Sequence, residues 1–116
     1  MMRELIKVLK AAGDKNRMRI LKMLQHKKMC VCELAAVLEI KQPSVSKHLS
    51  ILRDAGLIQD ERNGQWMDYS LCKEKINRYA PDIQASIENW LKDDAIIKRD
   101  MKKTQKLCRE VLCKKE

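Results

Sequence analysis

Residues 29–70, MCVCELAAVLEIKQPSVSKHLSILRDAGLIQDERNGQWMDYS, leave this chain few choices of fold. A short helix pattern from Val31 to Leu38 leads through Lys41-Gln42-Pro43-Ser44 into a longer one from Ser44 to Ala55. Gly56 follows, and then two β-compatible runs, Leu57 to Arg62 and Gln65 to Leu71, flank Asn63-Gly64. Asn-Gly between two such runs predicts a hairpin with a type I′ turn, which needs φ > 0 at both central residues. Helix, tight turn, helix and hairpin in that order predict a winged helix-turn-helix, whose second helix enters the DNA major groove.

The longer helix can be tested by its angles. At about 100° per residue, Val45, Leu49 and Leu52 fall within roughly 60° of one another, while Ser46, Lys47 and Ser50 lie on the other side of the cylinder. Pro43 suits a first helical turn, where its missing N–H costs little, and Gly56 suits the position just past the end. One face is therefore expected to be buried, and the other to offer small hydrogen-bonding groups and a cation.

Charge points the same way. The chain has 25 Lys+Arg against 16 Asp+Glu, a formal net charge of +9, which favours a polyanionic partner such as nucleic acid. Its 116 residues suit a single domain, 1–116, with the helix-turn-helix and wing at 29–71 and a C-terminal helical dimerisation region at 82–116. No stretch reaches the ~18 uninterrupted apolar residues of a membrane helix, and the N-terminus is amphipathic rather than signal-like. A cytoplasmic protein with no membrane partner is expected. Five cysteines, an odd number, point to reduced thiols acting as ligands or redox groups rather than to a disulfide framework. Phe is absent, so Leu, Ile and Met must fill the core.

Around this centre the chain is mostly helical. From Met2 to Ala12, Leu5, Leu9 and Ala12 recur at helical spacing with Val8 beside them, and Gly13-Asp14 ends the run. Asp14 or Asn16 can cap a second helix that reaches about Gln25 with Ile20, Leu21 and Leu24 inward. Past Cys72, Ile83, Ile87 and Trp90 or Leu91 form another stripe, and Asp94 is a candidate cap. Ile97, Met101, Thr104, Cys108 and Val111 then make a narrow seam of coiled-coil type, expected to be a dimer surface unless it packs on its own domain. The predicted class is mainly α with a small β-hairpin: a winged helix-turn-helix, homodimeric through its terminal helices.

Five segments carry a resemblance to a known family. They are Gly13-Asp14-Lys15-Asn16-Arg17-Met18-Arg19-Ile20-Leu21, Cys30-Val31-Cys32-Glu33-Leu34, Gln42-Pro43-Ser44-Val45-Ser46-Lys47-His48-Leu49, Leu52-Arg53-Asp54-Ala55-Gly56-Leu57 and Gly64-Gln65-Trp66-Met67-Asp68-Tyr69. Residues 12–71 thereby resemble the ArsR family of bacterial winged-helix repressors, small homodimers that leave DNA when they bind a metal or metalloid. The resemblance implies that Gln42, Ser44, Ser46, Lys47 and His48 contact double-stranded operator DNA and that Arg62 serves the wing. Residue chemistry agrees for Ser46 and Lys47, since Ser can meet base edges or phosphate and Lys phosphate or guanine. His48 falls nearer the buried face, where packing is an equal reading. Lys41 stands where the family often has a capping Ser.

Cys30-Val31-Cys32 resembles the Cys-Val-Cys of the arsenic- and cadmium-sensing members. Trivalent arsenic takes three thiolates, whereas Cd, Pb and Zn accept three or four soft ligands. Arsenite is the expected inducer, with Cd, Pb or Zn as alternatives. Residues two apart on a continuous helix point about 200° from each other, so gripping one ion with Cys30 and Cys32 is expected to unwind that turn. Arsenic sensors often carry a third Cys where Ala35 stands, so a further thiolate must come from Cys72, Cys108 or Cys113. Cys72 and Cys108 also read as small buried hydrophobes. Zinc and nickel sensors of the family use His and carboxylates on the terminal helix, and His26 and His48 lie elsewhere. Two alternatives stand beside this reading: a repressor of the same fold triggered by thiol oxidation, and a small thiol reductase. The reductase would need a C-x-x-C near a βαβ unit, which the sequence does not offer, so no enzyme is expected.

Overall fold

Gly13 and Asp14 set the first corner of the chain in this computed structural model, which describes residues 1–74 and 76–107. The helix α1 (Met2–Ala12) ends at Gly13, where a Cβ would sit 2.9 Å from the Leu9 carbonyl oxygen. Asp14 then caps α2 (Lys15–Leu24), its carboxylate accepting the N–H groups of Asn16 and Arg17 at 3.0 and 3.1 Å. Those N–H groups and the neighbouring Arg17 charge hold the Asp14 pKa below its usual value although partial burial opposes them.

On α1 the inward residues are Val8, Ala11 and Ala12. Leu9, expected to face in, is 45% exposed together with Ile6 at 44%. Small Ala11 beside Val8 lets α1 lie close to α2, which rotates the larger Leu9 outward. The helix α2 sends Ile20, Leu21, Met23 and Leu24 into a core shared with Leu34, Val37, Val45, Leu49, Leu52, Leu57 and Ile58.

Two helices then cross as the sequence pattern predicts. The first, α3 (Val31–Leu38), ends at Glu39, a left-handed residue with φ 59°. The second, α4 (Gln42–Asp54), buries Val45, Leu49 and Leu52 and carries Pro43 in its first turn. Lys41 precedes it and offers no side-chain cap. Gly56, at φ 79°, turns the chain from α4 into the hairpin, and a Cβ there would approach the Cβ of Asn77 to 3.1 Å.

The hairpin pairs β1 (Ile58–Asn63) with β2 (Trp66–Leu71), antiparallel, from Ile58 opposite Leu71 to Asn63 opposite Trp66. The turn differs from the expected one. Its two central residues are Gly64 and Gln65, and among described non-glycine residues only Glu39 and Leu91 have positive φ. Gly64 at φ 63° therefore supplies the only left-handed position, at the first central site, which is the pattern of a type II′ turn. Asn63 stays in the ladder because a side chain there pays more for φ > 0 than Gly64 does. Met29 adds an isolated bridge to the sheet: its N–H donates to Tyr69 O at 3.1 Å, and Tyr69 N–H to Met29 O at 2.8 Å.

The last described helices are α5 (Ala80–Asn89) and α6 (Ala95–Gln105). Ile87 of α5 is buried, but Trp90 and Leu91 are exposed beyond its end rather than continuing the stripe. Asp94 caps α6 as expected, accepting from the N–H groups of Ile96 and Ile97. The predicted seam turns inward on α6. Ile97 and Thr104 of the seam are buried, with Asp100, where α6 packs on α2 and α3, while Met101 stays half-exposed. Polar chemistry explains the inward turn: buried Arg19 of α2 holds Asp100 bidentately at 2.8 and 2.9 Å. Cys108 and Val111 of the expected seam lie outside the described residues. No helix among the described residues is long and apolar enough to cross a membrane.

Candidate DNA-reading surface and thiol pair

The α4 surface sorts itself by angle. Gln42, Ser44, Ser46, Lys47 and Ser50 are exposed, opposite the buried Val45, Leu49 and Leu52. A row of hydroxyls, an amide and a cation on a helix of this size can reach base edges and phosphates in a major groove. Arg53, at the end of α4, is drawn aside to Asp60 of β1 at 2.7 Å, an exposed link between the helix and the hairpin. Arg62 is exposed beside the hairpin tip.

His48 is half-buried, and its partner is Arg17, a residue that sequence reasoning did not single out. The Arg17 Nη1 lies 3.1 Å from His48 Nδ1, while Nε donates to Ala11 O at 2.7 Å and Nη2 to Lys10 O at 3.3 Å. A guanidinium has only donors, so Nδ1 accepts and the ring hydrogen of the neutral form sits on Nε2. One arginine thus closes the C-terminal end of α1 and fixes the ring orientation of a residue on α4.

The two thiols near α3 have different surroundings. Cys30 is the residue before the helix, in extended conformation at φ −97° and ψ 171°, and is 3% exposed. It shares a capping box with Glu33, whose Oε1 accepts the Cys30 N–H at 3.0 Å. Lys27 Nζ stands 3.9 Å from the other Glu33 oxygen, so that buried carboxylate has a cation at its rim. Cys32, inside the first turn, is half-buried and receives the Gln42 amide N–H on its sulfur at 3.5 Å. The expected geometry of two cysteines on one continuous helix is therefore corrected: only Cys32 is helical. The turn that a shared ion is expected to unwind or hold open is the capped start of α3.

Chemistry limits what these residues hold alone. Two thiols at such spacing suit a thiophilic ion, yet among the described residues no three His, Cys, Asp or Glu side chains form a metal-holding group. Cys72 is buried at the end of β2, its thiol donating to Glu74 O at 3.3 Å, as a small core residue would. Cys108 and Cys113 lie outside the described residues.

Comparison with known proteins places this arrangement among bacterial regulators. The family model described as bacterial regulatory protein, arsR family, matches residues 14–60. An arsenic resistance transcriptional regulator of Pseudomonas putida is 36% identical over 93 residues, covering 77% of this chain and 73% of the relative. The arsenical resistance operon repressor of Bacillus subtilis is 42% identical over 69 residues, covering 59% of this chain and 66% of that one. Among solved structures, reduced HlyU from Vibrio cholerae aligns with a TM-score of 0.63 at 31% identity, covering 75% of this chain and 84% of the other.

Proposed function

The chain belongs to the ArsR family of bacterial regulatory proteins, and within that family we propose that it is an arsenite-responsive repressor that works as a homodimer. Family membership makes it a DNA-binding transcriptional regulator with no enzymatic role; the inducer, the site and the assembly are the proposal. One observation carries it: the Cys32 sulfur holds the amide of Gln42, the first residue of the DNA-reading helix. A thiol that serves as ligand and as partner to a base-reading residue can report its own occupancy to DNA.

Three devices meet at Cys30. Its N–H anchors the Glu33 carboxylate, its preceding residue Met29 is bridged to Tyr69 of the wing, and its sulfur faces the first turn of α3. To bring its sulfur beside that of Cys32, Cys30 must give up the capping box. That movement loosens the start of α3 and strains the bridge to the wing, while Cys32 releases Gln42. The ligand-bound and DNA-bound arrangements then oppose each other through linkage.

Arsenite requires a third thiolate, and chain length allows the tail to supply it. Lys103 of α6 contacts Glu39 at the far end of α3. From Glu39 back to Cys30 the helix covers about 14 Å. Lys103 to Gln105 are helical, so only the chain past Leu107 adds reach, and the six residues from there to Cys113 span at most about 20 Å. Cys30, Cys32 and either tail cysteine suit arsenite; all four would suit Cd, Pb or Zn. The names of the arsenic-resistance relatives favour arsenite.

Gln42, Ser44, Ser46, Lys47 and His48 are assigned to operator contacts, with Arg62 at the wing. A second copy is assigned to the outer face of α1, where exposed Met2, Ile6 and Leu9 lie within roughly 60° on one apolar stripe. The test is fluorescence anisotropy of the reduced protein on DNA from its own operon, titrated with arsenite, cadmium or peroxide. Release by arsenite that Cys30→Ser or Cys32→Ser abolishes supports the assignment. Release by cadmium or peroxide alone removes arsenite as the inducer.

A further inference from the structure

Away from the DNA-reading face, a cavity of about 570 Å³ opens between the end of α2, the last turn of α5 and α6. No residue of α3, α4 or the hairpin lines it. Four lysines, Lys22, Lys92, Lys98 and Lys102, border it together with His26, against one carboxylate among the described residues, that of Glu88. Ile97 and Met101 form an apolar strip along one wall.

Lys22 is the unusual member, because it is buried. Its ammonium donates to Ile87 O at 2.9 Å, in the last turn of α5, and to Trp90 O at 2.8 Å just past its end. Those bonds use two of its three N–H groups, and the third is left for whatever enters the cavity that Lys22 lines. Burial, reinforced by the charge of Lys92, depresses the Lys22 pKa, with Glu88 opposing. The cavity therefore holds a cation short of negative charge. The backbone beside it is unusual as well: Leu91 has φ 63°, a left-handed conformation that persists where its surroundings fix it, and the Lys22 grip on Trp90 O supplies that constraint. Lys98 has only a long, exposed contact to Asp93 at 3.9 Å and remains available.

We infer that this cavity binds a small organic anion carrying a phosphoryl group, with the anionic end toward Lys22, Lys92 and Lys102 and the apolar body on Ile97 and Met101. Operator DNA is the less suitable occupant, because the cations line a concavity rather than a ridge and share no element with the reading helix. Occupancy joins α2, α5 and α6, so it raises the stability of the folded chain by mass action.

The test uses the full chain carrying Trp66→Phe, which leaves Trp90 as the single tryptophan reporter, and phenyl phosphate and inorganic pyrophosphate as probes at constant ionic strength. Saturable change of Trp90 emission and a rise in Tm are expected with at least one probe, phenyl phosphate binding better if the apolar strip is used. The double variant Lys92→Gln/Lys102→Gln alters two exposed side chains, so it should keep the Tm of the anion-free protein. It should bind the probe about tenfold or more weakly, as loss of two attractive charges demands. Three results would overturn the inference: no response to either probe beyond that of sodium chloride, equal binding by the double variant, or loss of operator affinity in that variant without any response to the probes.

Discussion

At Gln42 the reading helix and the thiol pair share one hydrogen bond, and substitutions there separate the two jobs. Gln42→Ala removes an amide able to read adenine and should weaken operator binding by about 1–3 kcal/mol, measured by anisotropy at fixed salt. Free arsenite should still bind that variant, because the sulfurs remain. At Gly56 the demand is conformational. Gly56→Ala places a side chain at φ 79° and 3.1 Å from Asn77 Cβ, and urea unfolding should show a loss of about 1–3 kcal/mol. Individual residues were legible in the sequence where chemistry and spacing act locally: the Asp14 and Asp94 caps, the exposed Ser46 and Lys47, and the buried Val45, Leu49 and Leu52. They were not legible where a distant partner decides. Nothing near Arg17 in the sequence announces His48, and nothing near Cys32 announces Gln42 as its hydrogen-bond donor. Leu9 went astray because a stripe of apolar residues does not say which edge of it the neighbouring helix covers.

Helix α6 is held by charge as much as by apolar area. Asp100→Asn leaves Arg19 buried without its carboxylate and should cost roughly 3–5 kcal/mol in urea unfolding, since the orphaned guanidinium cannot be rehydrated. The second clamp, Lys103 on Glu39, is exposed and responds to pH. The Lys103 hydrogen bond and charge hold the Glu39 pKa below its ordinary 4.5. A carboxylate depressed in the folded state contributes stability that is present above its unfolded pKa and lost as pH falls through the folded one. Wild type should therefore lose more urea resistance between neutral pH and the acid side of that window than Glu39→Gln does. Equal loss in both would show that the contact does not hold α6. The hairpin was legible as an element but not in its turn: Asn-Gly predicts both residues in the loop, whereas the observed ladder keeps Asn63 paired and gives the corner to Gly64 and Gln65. The expected seam was legible as a helix, and its residues Ile97 and Thr104 take the other reading the sequence offered, packing on their own domain beside Asp100.

Across the whole molecule, the winged helix-turn-helix was readable from the order helix, turn, helix, Gly, hairpin, and the family from the motifs of residues 12–71 that resemble it. Long-range polar pairs, such as Arg19 with Asp100 across 81 positions, set how the last helix closes over that core and leave no periodic trace. A net charge of +9 predicts operator binding that weakens steeply with salt, and Lys47→Gln should reduce the logarithmic salt slope by about one phosphate contact. The central claim is that the thiol pair and the operator compete for one conformational choice. Its most direct test is the arsenite affinity of the reduced protein, free and saturated with operator DNA, by calorimetry. Linkage requires DNA to weaken arsenite binding by the same factor by which arsenite weakens DNA binding, and the account predicts a factor well above one, lost in Cys32→Ser. Equal arsenite affinity with and without DNA would contradict it.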